Sequence, residues 1–512
     1  MSLGRIFIIA FLVLLPIETR AQTIEQLQKT IASTADRAQQ SRLYKRLGEA
    51  LVAQDNLGQA ADAFSKALAL GRDQFTARER VQMAIYLSWA DRLAESQDEL
   101  NRVLVQEPKN IAARTHLARV LSWSGNLGAA IAQADIVLTD APDHKDALLV
   151  KADALQWQGR YIEAIPIYRK LVARDGDFDA RVGLARSMLA VGNRTGALAT
   201  RNSLTPANKR QQNELAKVTD AIDQETRPSV DGRYNYYRDS DRNRLNRYSL
   251  TGGFWIGNQK YGLEYRHTEA SDPARDNHAD DLLASIYSRL SDRFAAGAGI
   301  GFTRLDDRRT SSFPIGHARV DARLFAGRVG ANVTREVLTD TAELIENRIR
   351  MTNVGLYLTQ PLTERFGVHA GYNYKSFSDG NHANDLQLVS QYAIFLAPRI
   401  TVGHRFRLLD FHKQSGSGFF DPNNYIANRA FSSLYYENRL FYTYLEIYVG
   451  HQTFRRNRVA SDDFIHGGAG SVGIKPVSNL AIEVNVEGGN FAAGSTSGFN
   501  YFIIGPRFVY RF

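Results

Sequence analysis

The second half of the chain alternates between apolar and polar positions with a period of two. In residues 502–512, five apolar side chains fall on one face, and Arg507 and Arg511 fall on the other. Because successive side chains of a β-strand point to opposite faces, this pattern predicts a strand with one apolar and one polar side. An edge strand of a soluble sheet is the alternative for this segment taken alone.

The same alternation recurs in segments of about ten residues or more. Together the segments predict an antiparallel transmembrane β-barrel of about 16 strands, with fourteen and eighteen strands as alternatives. The predicted strands start near Val230, Tyr248, Tyr261, Leu282, Phe294, Ile315, Val329, Val354, Phe366, Leu386, Ile400, Phe431, Tyr442, His466, Leu480 and Tyr501.

The connections between these segments alternate in length, which favours a membrane barrel over a soluble β-sandwich. We expect short turns on the periplasmic side and longer polar loops on the other. The short turns are 257–258, 291–292, 326–327, 360–364, 397–398, 437–440 and 477–479. The longer loops are 239–246, 269–280, 306–312, 338–347, 377–384, 411–424, 454–463 and 490–498.

The polar faces of the predicted strands should line the lumen. A charge at the bilayer midplane costs about 2 to 4 kcal/mol, so the apolar faces, such as that of Val484 and Val486, should meet lipid. For any single charged residue, an ordinary solvated pair across strands is an equally good interpretation. The candidate lumen and substrate contacts are Arg319, Asp321, Arg323, Arg399, Arg405, Arg407, Glu483, Glu487, Arg507 and Arg511.

The first half of the chain has a helical repeat with a period near 34 between residues 39 and 199. Trp89, Trp123 and Trp157 are each 34 residues apart, and so are Pro108 and Pro142. Small residues recur at fixed positions within each repeat. This pattern resembles the tetratricopeptide repeat, which implies antiparallel helix pairs stacked into a curved solenoid. A polar helix over residues 209–225 completes it, and Pro228 marks the domain boundary.

The recurrent tryptophans allow two interpretations. They can pack between successive repeats, which we favour because each occupies the same position before a helix turn. They can also form a row of platforms on which sugar rings stack.

The chain begins with the features of a secretory signal peptide. Residues 1–21 contain Arg5, an apolar run over residues 6–15, and small residues at the cleavage positions. An uncleaved anchor is the alternative. We therefore expect a signal peptide at 1–21, a periplasmic solenoid at 22–226 and an outer-membrane barrel at 227–512. The chain has no Cys, so no disulfide framework holds these domains together.

Composition limits the possible functions. The net charge is +9, but no basic run concentrates it, so we expect no nucleic-acid partner. From residue 227 onward the chain has 30 Arg and only 4 Lys. Because planar guanidinium groups bind carboxylates and sugar hydroxyls at fixed geometry, this lumen suits an uncharged or mildly acidic glycan. No hydrolase or metalloprotease motif occurs, so we predict no catalytic residue, cofactor or metal.

Signal peptide, repeats and barrel in this order resemble the export porins for bacterial exopolysaccharides, such as poly-N-acetylglucosamine, cellulose and the Pel polymer. The segments at 121–125 (LSWSG) and 155–159 (LQWQG) also resemble repeats preceding YaiO-type barrels. The resemblance implies a passive conduit for a polysaccharide in biofilm formation, with the repeats binding polymer or periplasmic proteins. Its terminal aromatic strand implies recognition by the barrel-assembly machinery. The alternatives are a general or solute porin with a scaffolding solenoid, and an outer-membrane enzyme.

Overall fold

The computed structural model describes residues 17–306, 310–456, 458–491 and 500–512. In these ranges a helical repeat array is followed by a closed barrel of sixteen antiparallel strands, which confirms the predicted fold class. Residues 1–16, most of the predicted signal peptide, lie outside the described ranges, so that expectation stays a prediction.

The helices of the first half form antiparallel pairs, from α2 with α3 to α8 with α9. None of the described helices is long and apolar enough to cross a membrane. Their bounds are α1 Ile17–Ser33, α2 Arg37–Ala53, α3 Leu57–Gly71, α4 Ala77–Trp89, α5 Leu93–Gln106, α6 Ile111–Trp123, α7 Leu127–Asp140, α8 Lys145–Trp157, α9 Tyr161–Asp175, α10 Phe178–Ala190, α11 Arg194–Asn202 and α12 Lys209–Thr226; a 3₁₀ turn occupies Arg72–Gln74.

Local chemistry sets where these helices begin and end. Asp36, Thr76 and Asn110 each accept a hydrogen bond from a backbone amide in the first helical turn, which satisfies a donor that the helix leaves free. Gly125 and Gly159 have positive φ in the turns within two helix pairs, where a side chain would be strained.

Small side chains let the paired helices approach closely. The alanines at the recurrent position, Ala84, Ala118 and Ala152, are fully buried. At the recurrent position of the first repeat, Gly48 lies beneath the buried ring of Phe64, and a Cβ there would come within 2.5 Å of that ring. The 34-residue pattern therefore marks helix contacts, as expected for stacked repeats.

The barrel closes because β1 pairs with both β2 and β16. The strands are β1 Ser229–Asp239, β2 Arg244–Ile256, β3 Gln259–Ser271, β4 Asp276–Arg289, β5 Phe294–Asp306, β6 Ser311–Leu324, β7 Gly327–Val337, β8 Arg350–Pro361, β9 Phe366–Phe377, β10 His382–Leu396, β11 Arg399–Phe411, β12 Asn423–Glu437, β13 Phe441–Arg456, β14 Val459–Val477, β15 Leu480–Gly489 and β16 Tyr501–Arg511; a short helix, α13, spans Ala342–Asn347 between β7 and β8.

The two ends of the barrel differ in their connections. At one end, which we call the turn end, seven short turns occupy the predicted positions, and the chain enters the barrel there at Ser229. At the opposite end, the loop end, several of the loops are shorter than predicted and form tight hairpin turns. The predicted loop 269–280, for example, reduces to residues 272–275 because β3 and β4 continue through its polar ends. The longest described connections at this end are 338–349 and 412–422.

The outer face of the barrel is apolar. Ile300 is 76% exposed, and Leu356 and Ile447 are also exposed on this face. Register places Ile447 opposite Ser432 and Leu356 opposite Ala331, so outward positions continue from strand to strand. An exposed apolar belt of this kind is typical of a barrel that meets lipid.

The chain divides into two compact units. One comprises residues 1–187 and 203–216, and the other comprises residues 188–202 and 217–512. The change from helix to strand lies between Thr226 and Ser229, whereas packing groups α11 and the end of α12 with the strands.

Candidate functional site: the barrel lumen and its plug

A buried ion cluster lies on the inner face of β9, β10 and β11. Asp385 is 1% exposed and accepts hydrogen bonds from Arg407, at 2.9 and 3.0 Å, and from Lys375 Nζ at 2.8 Å. Register places Asp385 directly opposite Asn373 and Leu409, next to its two cationic partners. Two cations facing one carboxylate leave this part of the wall with no unpaired negative charge.

A second cluster lies beside it on β11 and β13. Both terminal nitrogens of Arg405 bond Glu446, one of them at 2.8 Å from Oε2. The Tyr444 hydroxyl donates to the same carboxylate at 2.5 Å. The Arg405 guanidinium also lies over the Phe431 ring, 4.2 Å from its centroid. A bidentate pair held from a third side is a fixed arrangement rather than a free solvated charge.

Other predicted lumen residues lie at the seam that closes the barrel. Arg507 on β16 bonds Asp231 on β1 at 2.6 Å. Glu487 accepts a hydrogen bond from the Tyr501 hydroxyl at 2.7 Å, and register places Glu483 directly opposite Arg507. The seam therefore combines backbone pairing with an ion pair across the first and last strands.

The predicted residues on β6 face the lumen but differ in their partners. Arg319 lies over the Tyr287 ring at 4.7 Å, with Asp321 3.8 Å away. Asp321 is 6% exposed, and neither of its carboxylate oxygens has a hydrogen-bond donor among the described residues. Arg323 donates to the backbone carbonyl of Ala190 at 2.7 Å.

The last two predicted residues, Arg399 and Arg511, lie at the turn end. Register pairs them with Tyr435 and Ser229. The ten candidates are therefore distributed around and along the inner wall and do not form one site. Sequence analysis missed the acids Asp231, Asp385 and Glu446, because only register shows which acid faces which arginine.

An apolar plug fills the loop end of the lumen. It consists of residues 338–349, which include α13, and residues 412–422. These two loops were predicted to be long and polar; most of their residues are polar, but their few apolar side chains turn into the lumen. Phe419 and Phe420 are buried against inward-facing aromatic residues of β9, β11, β12 and β13. Their partners are Phe377, Phe411, Tyr425 and Phe454.

Helix α13 contacts both sides of the barrel. Leu344 packs in the apolar cluster formed with β9 to β14, whereas Ala342 and Ile345 pack in a second cluster with β1 to β6 and β16. All three side chains are fully buried. Because this helix bridges opposite walls, the plug crosses the lumen.

Polar contacts fasten the plug to the wall. Asn277 donates to the Ala342 carbonyl at 2.8 Å, and Arg275 pairs with Glu346 at 2.6 Å. The two plug loops also meet, where Asn347 donates to the Ser417 carbonyl at 3.0 Å. The plug is thus a packed and hydrogen-bonded part of the barrel.

Residues 188–202 lie against the turn end. Asn193 donates to Asp292 at 3.1 Å, and the Thr195 amide donates to Asn258 at 3.0 Å. The Arg194 guanidinium stacks on the inward-facing Trp255 ring, 3.2 Å from its centroid. Together with the bond from Arg323, these contacts explain why this segment packs with the strands.

The helical repeats hold a small cavity of about 90 Å³ lined by Trp123 and Trp157. Arg119 and Asp153 also line it. Burial raises the pKa of Asp153 to about 7, against the hydrogen bond from Tyr168. Trp123 makes an edge contact with His116, whereas Trp157 is 50% exposed. Packing between repeats therefore accounts for the first of these rings better than for the second.

No protein-family model and no curated protein matches the chain. Among solved structures, one described as a bacterial polysaccharide outer membrane secretin shares 10% identity at a TM-score of 0.45, over 55% of this chain and 98% of that one. A tetratricopeptide repeat protein from Parabacteroides merdae shares 17% identity at a TM-score of 0.36, over 41% of this chain and 80% of that one. CdiB from Acinetobacter baumannii shares 10% identity at a TM-score of 0.37, over 56% of this chain and 60% of that one. At these values the likenesses carry no argument about function.

The architecture nevertheless matches the predicted one, in which helical repeats precede a transmembrane barrel. Helical repeats precede a closed barrel of sixteen strands, and its outer face is apolar. A closed barrel satisfies all its backbone hydrogen bonds without a free edge, as the membrane interior requires. These features support an outer-membrane location.

Proposed function

We propose that the barrel is a gated outer-membrane conduit for export of a polysaccharide, with the plug as its extracellular gate. The observation that carries this proposal is the inner wall, where Arg405, Arg407 and Arg507 are each paired with an acid and tyrosines lie among the charged residues. Paired charges present many hydrogen-bonding groups but little net field. A long, uncharged or mildly acidic glycan can exchange contacts along such a surface without being held at one point.

The conduit would be passive. Transport would be driven by polymer synthesis behind it, and the chain would perform no bond-making step. The periplasmic repeats would bind the polymer or partner proteins such as a modifying enzyme. The Trp157 ring, half exposed beside Arg119 and Asp153, provides one place for a sugar ring in that array. The barrel-assembly machinery would insert the protein through its terminal aromatic strand.

A second candidate function is a solute-selective porin with a scaffolding solenoid. The loops folded into the lumen favour it, because in-folded loops narrow a pore to small solutes. The export proposal requires the plug to move, whereas a solute porin could work with the plug in place.

The test is single-channel conductance of the full-length protein in planar bilayers. It would be measured for the wild type and for a variant with residues 338–349 replaced by a short Gly-Ser linker, while acidic, neutral and cationic oligosaccharides are titrated in. We expect low conductance from the wild type, and a variant pore that is blocked in a concentration-dependent way by one glycan class. A steady wild-type conductance that no glycan alters would favour the solute porin and overturn export.

A further inference from the structure

Two histidines and a glutamate converge on the outer face of the barrel, at its loop end. His267 and Glu269 are two residues apart on β3 and therefore share a face, and register places His278 of β4 directly opposite Glu269. One potential ligand atom from each of these three side chains lies within 4.8 Å of the others. All three residues are partly buried.

We propose that His267, Glu269 and His278 form a binding site for a divalent transition-metal ion such as Zn²⁺. Two imidazoles and one carboxylate are a ligand set that zinc accepts, with a fourth position left for water or another donor. Tetrahedral zinc needs ligand atoms about 3.4 Å apart, given bonds of about 2.1 Å. His267 Nε2 and Glu269 Oε1 are already 3.7 Å apart, so only small side-chain rotations are needed.

Outer contacts hold these side chains in orientations suited to a metal. Asp280 accepts a hydrogen bond from His267 Nδ1 at 2.8 Å, which leaves Nε2, the nitrogen nearer Glu269, free to ligate. Asn246 donates to Glu269 Oε2 at 3.1 Å and orients that carboxylate. The Tyr265 hydroxyl in turn donates to Asp280 at 2.7 Å. A carboxylate behind a ligating histidine is a recurrent arrangement at zinc sites.

The position of the site explains why the sequence did not show it. The ligands are eleven residues apart at most along the chain, but they come from two strands whose register had to be known. Metal binding would tie β3 to β4 outside the lumen, so this proposal is independent of what passes through the barrel.

The barrel offers a matched control. His451 on β13 also faces outward and pairs with an acid, Asp462, on the neighbouring strand. In the described residues no third ligand completes that pair into a metal-ligand group. Replacing His451 therefore removes an outward histidine–carboxylate contact without touching the proposed site.

The test is binding of Zn²⁺ to the detergent-solubilised full-length protein by isothermal titration calorimetry, with Co²⁺ absorption reporting coordination geometry. We expect one bound ion per chain. With Co²⁺ we expect the visible absorption spectrum typical of four-coordinate geometry. His267→Ala or His278→Ala should weaken binding at least about 100-fold, and Asp280→Asn about 10-fold to 100-fold. His451→Ala should change neither affinity nor spectrum.

Folding is checked separately by the shift in gel mobility of the unboiled barrel, so that loss of binding in an unfolded variant is not counted. Binding by folded His267→Ala and His278→Ala equal to that of the wild type would overturn the site. So would an equal loss in His451→Ala, since it would show unspecific binding to surface histidines.

Discussion

The two parts of the lumen differ in the kind of side chain that they mainly bury. The plug is held mainly by apolar contacts, with Leu344 and Phe419 almost fully buried. The wall below it buries ions instead, such as Asp385 between Arg407 and Lys375. Apolar packing has no directional partner and can be released as a unit, whereas a buried ion must keep its counter-ion. We infer that the plug is the part built to move and the charged wall is the part built to stay.

The largest effect should come from removing the apolar half of this comparison. Replacing residues 338–349 with a Gly-Ser linker removes α13 and its contacts with both walls. Because a sixteen-strand barrel leaves an aqueous channel unless it is plugged, removing the plug segment that crosses the lumen should raise single-channel conductance by about tenfold or more. The same replacement at the short connection 240–243 is the control and should leave conductance unchanged. Equal conductance in the two variants would show that the plug does not close the pore.

Replacing a single residue of the plug should loosen the packing of the plug without removing the plug from the lumen. Phe419→Ala deletes a buried ring that stacks on Phe377 and should cost about 4 kcal/mol of local stability. Hydrogen exchange at residues 412–422 should then become faster, while exchange in β15 stays slow. Phe464→Ala is the control, since that ring is exposed on the outer face. Unchanged protection in Phe419→Ala would contradict the packing argument.

Breaking an ion pair tests the other half. Asp385→Asn leaves Arg407 and Lys375 facing a neutral group, and should cost about 3 kcal/mol in free energy of unfolding. The reversal potential under a salt gradient, measured in the variant without residues 338–349, should shift toward anion selectivity. Asp462→Asn removes an exposed acid from the outer face. It should change neither the free energy of unfolding nor the reversal potential. A selectivity equal to that of the parent would show that ions do not pass this cluster.

The helical repeats bury a third kind of group, the neutral imidazole of His116. Burial lowers the pKa of His116 to about 3, with a further contribution from Arg119. The stability from its neutral form is complete above the unfolded pKa and is lost as pH falls from about 6.5 toward 3. At pH 5 the loss in the free energy of unfolding amounts to about 2 kcal/mol.

Thermal unfolding of the repeats, followed by circular dichroism at 222 nm, checks this. His116→Gln should lose less stability between pH 7 and 5 than the wild type. Asp153, whose raised pKa of about 7 acts with the opposite sign, is present in both proteins and cancels in the comparison. Parallel pH profiles would contradict the assigned role of His116.

The errors in the predicted strand starts have a physical pattern. Odd-numbered strands start within two residues of prediction, as for Phe294 and Phe366. Most even-numbered strands start earlier, such as β12 at Asn423 instead of near Phe431 and β14 at Val459 instead of near His466. These strands begin at the loop end, where they extend beyond the apolar belt. Hydrophobic alternation marks the lipid-facing part of a strand and says little about its polar continuation.

The sequence by itself determined the repeat period, the number of strands and the face of each predicted lumen residue, because these follow from local periodicity. Tertiary structure alone decided that residues 338–349 and 412–422 fold inward, since their few apolar residues are meaningful only against inward-facing aromatics of distant strands. It also decided the partners of Arg405, Arg407 and Arg507, which depend on register. Periodicity fixes which way a side chain points, and only closure of the barrel fixes what it meets.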